Sequence, residues 1–271
     1  MKNDIRNKPI GIFDSGVGGL TVLKEIIKRL PEENVIYLGD TARVPYGIRS
    51  PETVIKYSLE NTKFLFTKDI KLLVIACNTS SSISLEVIKK AVDIPVVGVI
   101  YPGARSAVKV TKNKKVGVIG TEATIRSESY TKAIKELDPD IKVYGLPCPL
   151  FVPLVEEGWT KGDIVEKIAG RYLKSLKKKK IDTLVLGCTH YPLLKKVISR
   201  VMGRPVVLVD SAIETAIEVE KILSKNDLLK KTNIKRTMQF YVTDSPERFL
   251  QIGERFLGHK INKIEKVLIG N

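Results

Sequence analysis

At 271 residues with 43% apolar composition, the chain is globular and too long for one ordinary domain, so two domains of similar size are expected. Its formal net charge of +16 would suit a nucleic-acid partner, but the lysines are scattered along helix-like segments. Aromatic residues are only 6% and are not interleaved with them, which makes nucleic acid a minor reading.

The chain opens on a mostly polar stretch, Met1 to Pro9, with no apolar core behind it and no long apolar span later, so neither export nor a membrane is expected. Short apolar runs bounded by Gly, Pro, Asn or Asp then alternate with longer segments of helical period, the pattern of an α/β fold with parallel sheets. Strands are predicted at Ile10 to Phe13, Val35 to Leu38, Leu72 to Ala76, Val96 to Val99, Val116 to Ile119, Lys142 to Leu146, Thr183 to Leu186 and Val206 to Val209. Helices are predicted at Leu20 to Leu30, Ser50 to Lys68, Ser82 to Ala91, Ser127 to Leu137, Asp163 to Leu176 and Leu193 to Val201. The one dense basic run, Lys177 to Lys180, reads as a solvated helix end.

Three pieces recur in order about 110 residues further on, as in a duplicated chain. Ile10-Gly11-Ile12-Phe13 answers to Val116-Gly117-Val118-Ile119, Leu73-Val74-Ile75-Ala76-Cys77 to Leu184-Val185-Leu186-Gly187-Cys188, and Pro95-Val96-Val97 to Pro205-Val206-Val207. Two pseudo-equivalent domains follow, with a boundary near Ile100 to Ala104, where Tyr101-Pro102-Gly103 breaks the strand. Ile213 to Leu223 reads as a helix and Phe240 to Thr243 as a strand, in excess of what the second copy needs. They are expected to return to the first domain, giving residues 1–100 with 211–271 as one unit and 101–210 as the other.

The cysteines number three, Cys77, Cys148 and Cys188, too few and too far apart for a disulfide framework, and a reducing cytoplasm fits them. Cys77 ends a buried-type strand and precedes small polar residues suited to the start of a helix. That edge of an α/β sheet is where ligands bind, and a helix N-terminus lowers a thiol's pKa. Cys188 repeats the arrangement, with His190 beside it and Pro192 suited to a first helical turn. Facing one another across a cleft, the two sulfurs could remove and return a proton on opposite faces of one carbon. The competing reading, two inert core cysteines, requires the matched positions to be coincidence. A zinc set of Cys77, Cys148, Cys188 and His190 lacks any CxxC-type spacing, so no metal is expected. The turn Asp14-Ser15-Gly16-Val17-Gly18-Gly19 lacks both GxGxxG and a Lys before Ser or Thr, which argues against a nucleotide. Asp14 suits either a carboxylate at the cleft or a helix cap, Glu156 a helix end facing solvent, and His190 alone a structural hydrogen bond.

Together these residues resemble the cofactor-independent aspartate/glutamate racemase superfamily, and within it the glutamate branch. The resemblance runs through Gly11 to Gly19, Asp40-Thr41-Ala42-Arg43-Val44-Pro45-Tyr46-Gly47, Ala76-Cys77-Asn78-Thr79, Gly120-Thr121, Cys148 to Glu156 and Gly187-Cys188-Thr189-His190-Tyr191-Pro192, nearly the whole chain. It implies interconversion of L- and D-glutamate without a cofactor, supplying D-glutamate to peptidoglycan, in a homodimer. Cys77 and Cys188 then match the acid/base thiols, with Asp14, Glu156 and His190 assisting. Ser15, Tyr46, Gly47, Asn78, Thr79, Thr121 and Thr189 match substrate contacts, to which Asp14 and His190 also belong. An aspartate racemase of the same superfamily and a single-cysteine thiol hydrolase or transferase are the alternatives.

Overall fold

The computed structural model describes residues 4–203, 205–231 and 235–270, so the start of the Met1 to Pro9 segment lies outside it. Strands β1 (Ile10–Asp14), β2 (Val35–Gly39), β3 (Leu72–Ile75) and β4 (Val96–Gly98) are connected through α1 (Leu20–Arg29), α2 (Pro51–Phe66) and α3 (Asn78–Ala91). Helix α4 (Ile100–Val110) leads to β5 (Lys115–Gly120), α5 (Glu122–Arg126), α6 (Ser129–Leu137), β6 (Lys142–Pro147) and α7 (Phe151–Glu156). Then come α8 (Asp163–Lys178), β7 (Thr183–Gly187), α9 (Lys195–Met202) and β8 (Val207–Asp210), and last α10 (Ser211–Lys225), β9 (Met238–Val242), α11 (Pro246–Leu257) and β10 (Glu265–Lys266).

Apolar runs without polar alternation become parallel strands covered on both faces. Along β1 and β3, Ile10, Ile12, Leu72 and Val74 join one core, while Phe13, Leu73 and Ile75 point to the other face and join a second. Helix α1 is amphipathic, burying Leu20, Leu23, Ile26 and Ile27 at helical spacing against the larger core. Helix α2 starts where Ser50 caps Thr53 N and Pro51 occupies the first turn.

Every strand pair is parallel, and the two sheets run β10-β9-β2-β1-β3-β4 and β6-β5-β7-β8. The order β2-β1-β3-β4 is repeated strand for strand by β6-β5-β7-β8, so the repeat seen in the apolar pieces is a repeat of topology. It makes β3 and β7 equivalent, each next to the last strand of its sheet and each followed by a cysteine. The chain passes between the sheets twice, from β4 into α4, which packs on β7 and β8, and from β8 into α10, which packs on α1 and α4. Strands β9 and β10 extend the first sheet.

Several elements differ from the pattern. Helix α4, not among the predicted helices, takes Tyr101-Pro102-Gly103 into its start just past the end of β4, where proline is tolerated because the first N–H groups have no intrahelical partner. Helix α3 begins at Asn78 rather than Ser82, because Cys77 serves as its N-cap residue and the polar run lies inside the helix. Helices α5 and α7 and strand β10 are too short to show a period. Lys177 to Lys180 are exposed at the end of α8. Beneath the first sheet, the buried Lys71 ammonium donates to Glu33 (2.5 Å), to the Leu228 carbonyl (2.9 Å) and to the Arg6 carbonyl (2.6 Å). This satisfied pair holds the segment after α10 under β3. No described helix is long and apolar enough to cross a membrane.

Candidate active site

The carboxyl ends of β1, β3 and β7 converge. Asp14 is the last residue of β1, Cys77 follows β3, and Cys188 follows β7. Asp14, Ser15, Cys77, Asn78, Thr79, Cys188, Thr189 and His190 are all buried, none more than 8% exposed. The two halves meet closely: Thr21 Oγ1 donates to the Thr189 carbonyl (3.2 Å) and Thr189 Oγ1 to Asp14 Oδ1 (3.5 Å). Gly18 permits this approach, since a Cβ there would lie 2.6 Å from His190 Nδ1.

The thiols have different surroundings. Cys77 donates to Ser15 Oγ (3.6 Å) at the N-terminus of α3. The expected lowering of its pKa is not found: burial, with the Asp14 carboxylate adding to it, pushes the thiol up to about 11, against the Ser80 N–H and the Ser15 hydroxyl. Desolvation of a thiolate outweighs the helix terminus here. Cys188 leads into a single 3-10 turn, Tyr191–Leu194, rather than an α-helix. Its neighbour His190 lies with Nδ1 3.9 Å from Sγ and Nε2 3.0 Å from Glu156 Oε1. Burial opposes the imidazolium, but the bonds to Cys188 and Glu156 prevail and push His190 up to about 10. Burial likewise opposes the Glu156 carboxylate, and the His190 hydrogen bond and charge outweigh it and hold the carboxyl below its usual range.

Asp14 is not the N-cap of α1, whose N-cap residue is Gly19 with no side-chain capping bond. Its Oδ2 accepts the Gly16 N–H (3.0 Å), and complete burial raises its pKa, partly offset by the His190 charge. Glu156 ends α7 turned toward His190, with 21% of its side chain exposed, rather than facing solvent. His190 bonds to two side chains, and its ring stands edge-on to Phe256.

Tyr46 and Gly47 reach the same region from the first half. The Tyr46 hydroxyl is bound to Asp40, and Asn61 Nδ2 donates to it (3.1 Å). Thr121 caps α5, lies 3.0 Å from Thr79 Oγ1, and packs so tightly on Gly47 that a Cβ there would come within 2.6 Å of it. A cavity of about 310 Å³ lined by Val44, Pro45, Gly47, Thr121, Val152 and Glu156 opens beside this contact. A larger one, about 410 Å³, is lined by Arg49, Ile83 and Arg126 and touches none of these residues. Cys148 is buried with its thiol directed to the Leu146 carbonyl (3.8 Å), and its own carbonyl accepts from the Tyr191 hydroxyl (2.8 Å). Among the described residues, no group of three or more His, Cys, Asp and Glu is placed to hold a metal ion.

Sequence reasoning missed Tyr130, whose hydroxyl donates to Asn78 Oδ1 (2.8 Å), Thr124, 3.3 Å from Thr79 Oγ1, and Gly18 as the close-approach point. Thr124 had a signal, since its N–H is bonded by Thr121 three residues earlier.

A family model described as Asp/Glu/Hydantoin racemase matches residues 10–216. A glutamate racemase of Geobacter metallireducens is 57% identical over 260 residues, covering 96% of each chain. Among solved structures, a glutamate racemase isoform of Bacillus anthracis superposes with a TM-score of 0.93 at 45% identity, over 97% of this chain and 98% of that one. A glutamate racemase of Francisella tularensis in complex with D-glutamate gives 0.92 at 41% identity, with the same coverage of both chains.

Proposed function

The chain belongs to the Asp/Glu/Hydantoin racemase family, and from that premise we propose that it interconverts L- and D-glutamate by proton transfer between two thiols. The observation that carries the mechanism is the pair Cys77 and Cys188, buried at the ends of equivalent strands of two sheets. With the substrate α-carbon between them, a thiolate on one side takes the α-proton, and the electron pair stays on carbon. The thiol on the other side then gives its proton to the opposite face, and the sulfurs finish with their states exchanged. His190, charged and linked to Glu156, stands ready to support a thiolate at Cys188. The Asp14 carboxylate and burial favour the protonated thiol at Cys77. Water is excluded around both, which strengthens each of these interactions.

Ser15, Tyr46, Gly47, Asn78, Thr79, Thr121, Thr189 and His190 serve as substrate contacts in this reading, with Asp14 facing the amine. Residues 1–100 with 211–271 form the domain bearing Cys77, and 101–210 the domain bearing Cys188. No cofactor takes part, the product feeds peptidoglycan, and the enzyme is a cytoplasmic homodimer, its free cysteines suiting a reducing compartment.

The test follows the optical rotation of L-glutamate in deuterated water with dialysed, chelator-treated protein. Rotation should decay to zero, with deuterium in D-glutamate from the earliest conversion and little in recovered L-glutamate, and aspartate should react far more slowly. Stable rotation, or early product without solvent deuterium, rejects the reading.

A further inference from the structure

Tyr130 belongs to α6 in the second half of the chain, yet its hydroxyl reaches Asn78, the neighbour of Cys77, in the first. The ring is buried. It lies against Gly103 and Gly187, where an added Cβ would come within 3.2 and 3.0 Å of it, and so touches the residue before Cys188 as well.

These contacts have a direction. A tyrosine hydroxyl has one proton to give. Here that proton goes to Asn78, and the accepting atom is Oδ1. The amide is thereby fixed with Nδ2 on its other side. Asn78 Nδ2 is buried and, among the described residues, has no hydrogen-bond partner. A buried amide donor without an acceptor is costly, so a site that keeps one is built to receive an acceptor from outside.

We propose that Tyr130 is a positioning residue for substrate: through the relay from Tyr130 to Asn78 it turns the Asn78 amide so that Nδ2 donates to a substrate carboxylate. This rests on the amino-acid racemase reading and deepens it. Tyr130 lies in the half that bears Cys188, whereas Asn78 stands beside Cys77. The orientation of the donor is therefore set from the opposite half of the molecule.

The test measures kcat and KM for both glutamate enantiomers, with melting temperatures, in Tyr130→Phe, Asn78→Ala and the double variant. Tyr130→Phe should raise KM about tenfold with a smaller change in kcat, the loss expected for a misdirected buried hydrogen bond. In the Asn78→Ala background the same change should add nothing to KM. Asn78→Asp keeps an oxygen to accept from Tyr130 and removes only the Nδ2 donor, so it should raise KM at least as much and covers the case of poor folding in Tyr130→Phe. An unaltered KM in Tyr130→Phe or in Asn78→Asp, or a full penalty that persists without Asn78, overturns the proposal. The wild-type rate in the same assay tests the racemase reading separately, so an active wild type with indifferent variants refutes only the relay.

Discussion

Replacing Glu156 with Gln keeps a hydrogen-bonding group near His190 Nε2 but removes its charge. A hydrogen bond to an ionised group contributes about 1.5–3 kcal/mol and a neutral one about 1 kcal/mol, so the imidazolium loses roughly 0.5–2 kcal/mol of support. At about 1.4 kcal/mol per pH unit, its titration moves down by about one unit. With 21% of the Glu156 side chain exposed, solvent trims this effect without cancelling it. Wild-type His190 is charged at neutral pH and deprotonates as pH rises through about 10. Racemisation should therefore fall on the alkaline side in both proteins, and in Glu156→Gln the fall should begin about one pH unit lower. Initial rates in both directions, read by circular dichroism from about pH 7 to about pH 11, provide the curves. The substrate ammonium titrates in that range too, but identically for both proteins, so the difference between the curves isolates His190. Stability has the same sign. A folded pKa above the reference value of 6.5 gives a contribution that is full below 6.5 and lost as pH rises through about 10. The melting temperature of the variant should fall less across that window. An alkaline limb that coincides with the wild type's, or lies at higher pH, would refute the Glu156–His190 coupling.

Cys77→Ala and Cys188→Ala should each abolish racemisation, whereas Cys148→Ala, whose thiol faces a backbone carbonyl, should keep most of it. Near wild-type racemisation in either of the first two rejects the two-thiol mechanism. Gly18→Ala would drive a methyl into Thr189 and the His190 ring, at a cost of about 1–3 kcal/mol in stability. Because it displaces one thiol's surroundings relative to the other, activity should drop about a hundredfold, and a fully active, equally stable variant would show that the halves do not meet there in solution.

The strands and their repeat were legible in the sequence because buried parallel strands are continuous apolar runs, and the same run with the same terminal cysteine occurs twice. Helix α1 was legible from its spacing. What stayed hidden depends on partners distant in the chain. Tyr130 and Asn78 are 52 positions apart and carry no pattern linking them. The pKa of Cys77 is the clearest miss: the strand end and helix start were readable, but burial and the Asp14 carboxylate, which reverse the direction, are tertiary facts. The role of Glu156 could not be separated from that of an exposed helix end until His190 was placed against it. Helix α4 was not read from the sequence because proline and glycine punctuate loops and also suit the first turn of a tightly packed helix.

The two thiols proposed as acid and base follow strands of different sheets, and neither is carried by a long loop. Each follows an interior strand of a parallel layer, and the chain crosses between the layers where β4 runs into α4 and β8 into α10. The gap that must fit one carbon atom is therefore an angle between two bodies, and its tuning is spread over residues that never approach the substrate. Substitutions along α1, α4 and α10, where the bodies lean on each other, act on that angle. For this architecture, catalytic distance is a property of the frame, and drift in the frame can alter turnover while every residue that handles the proton stays the same.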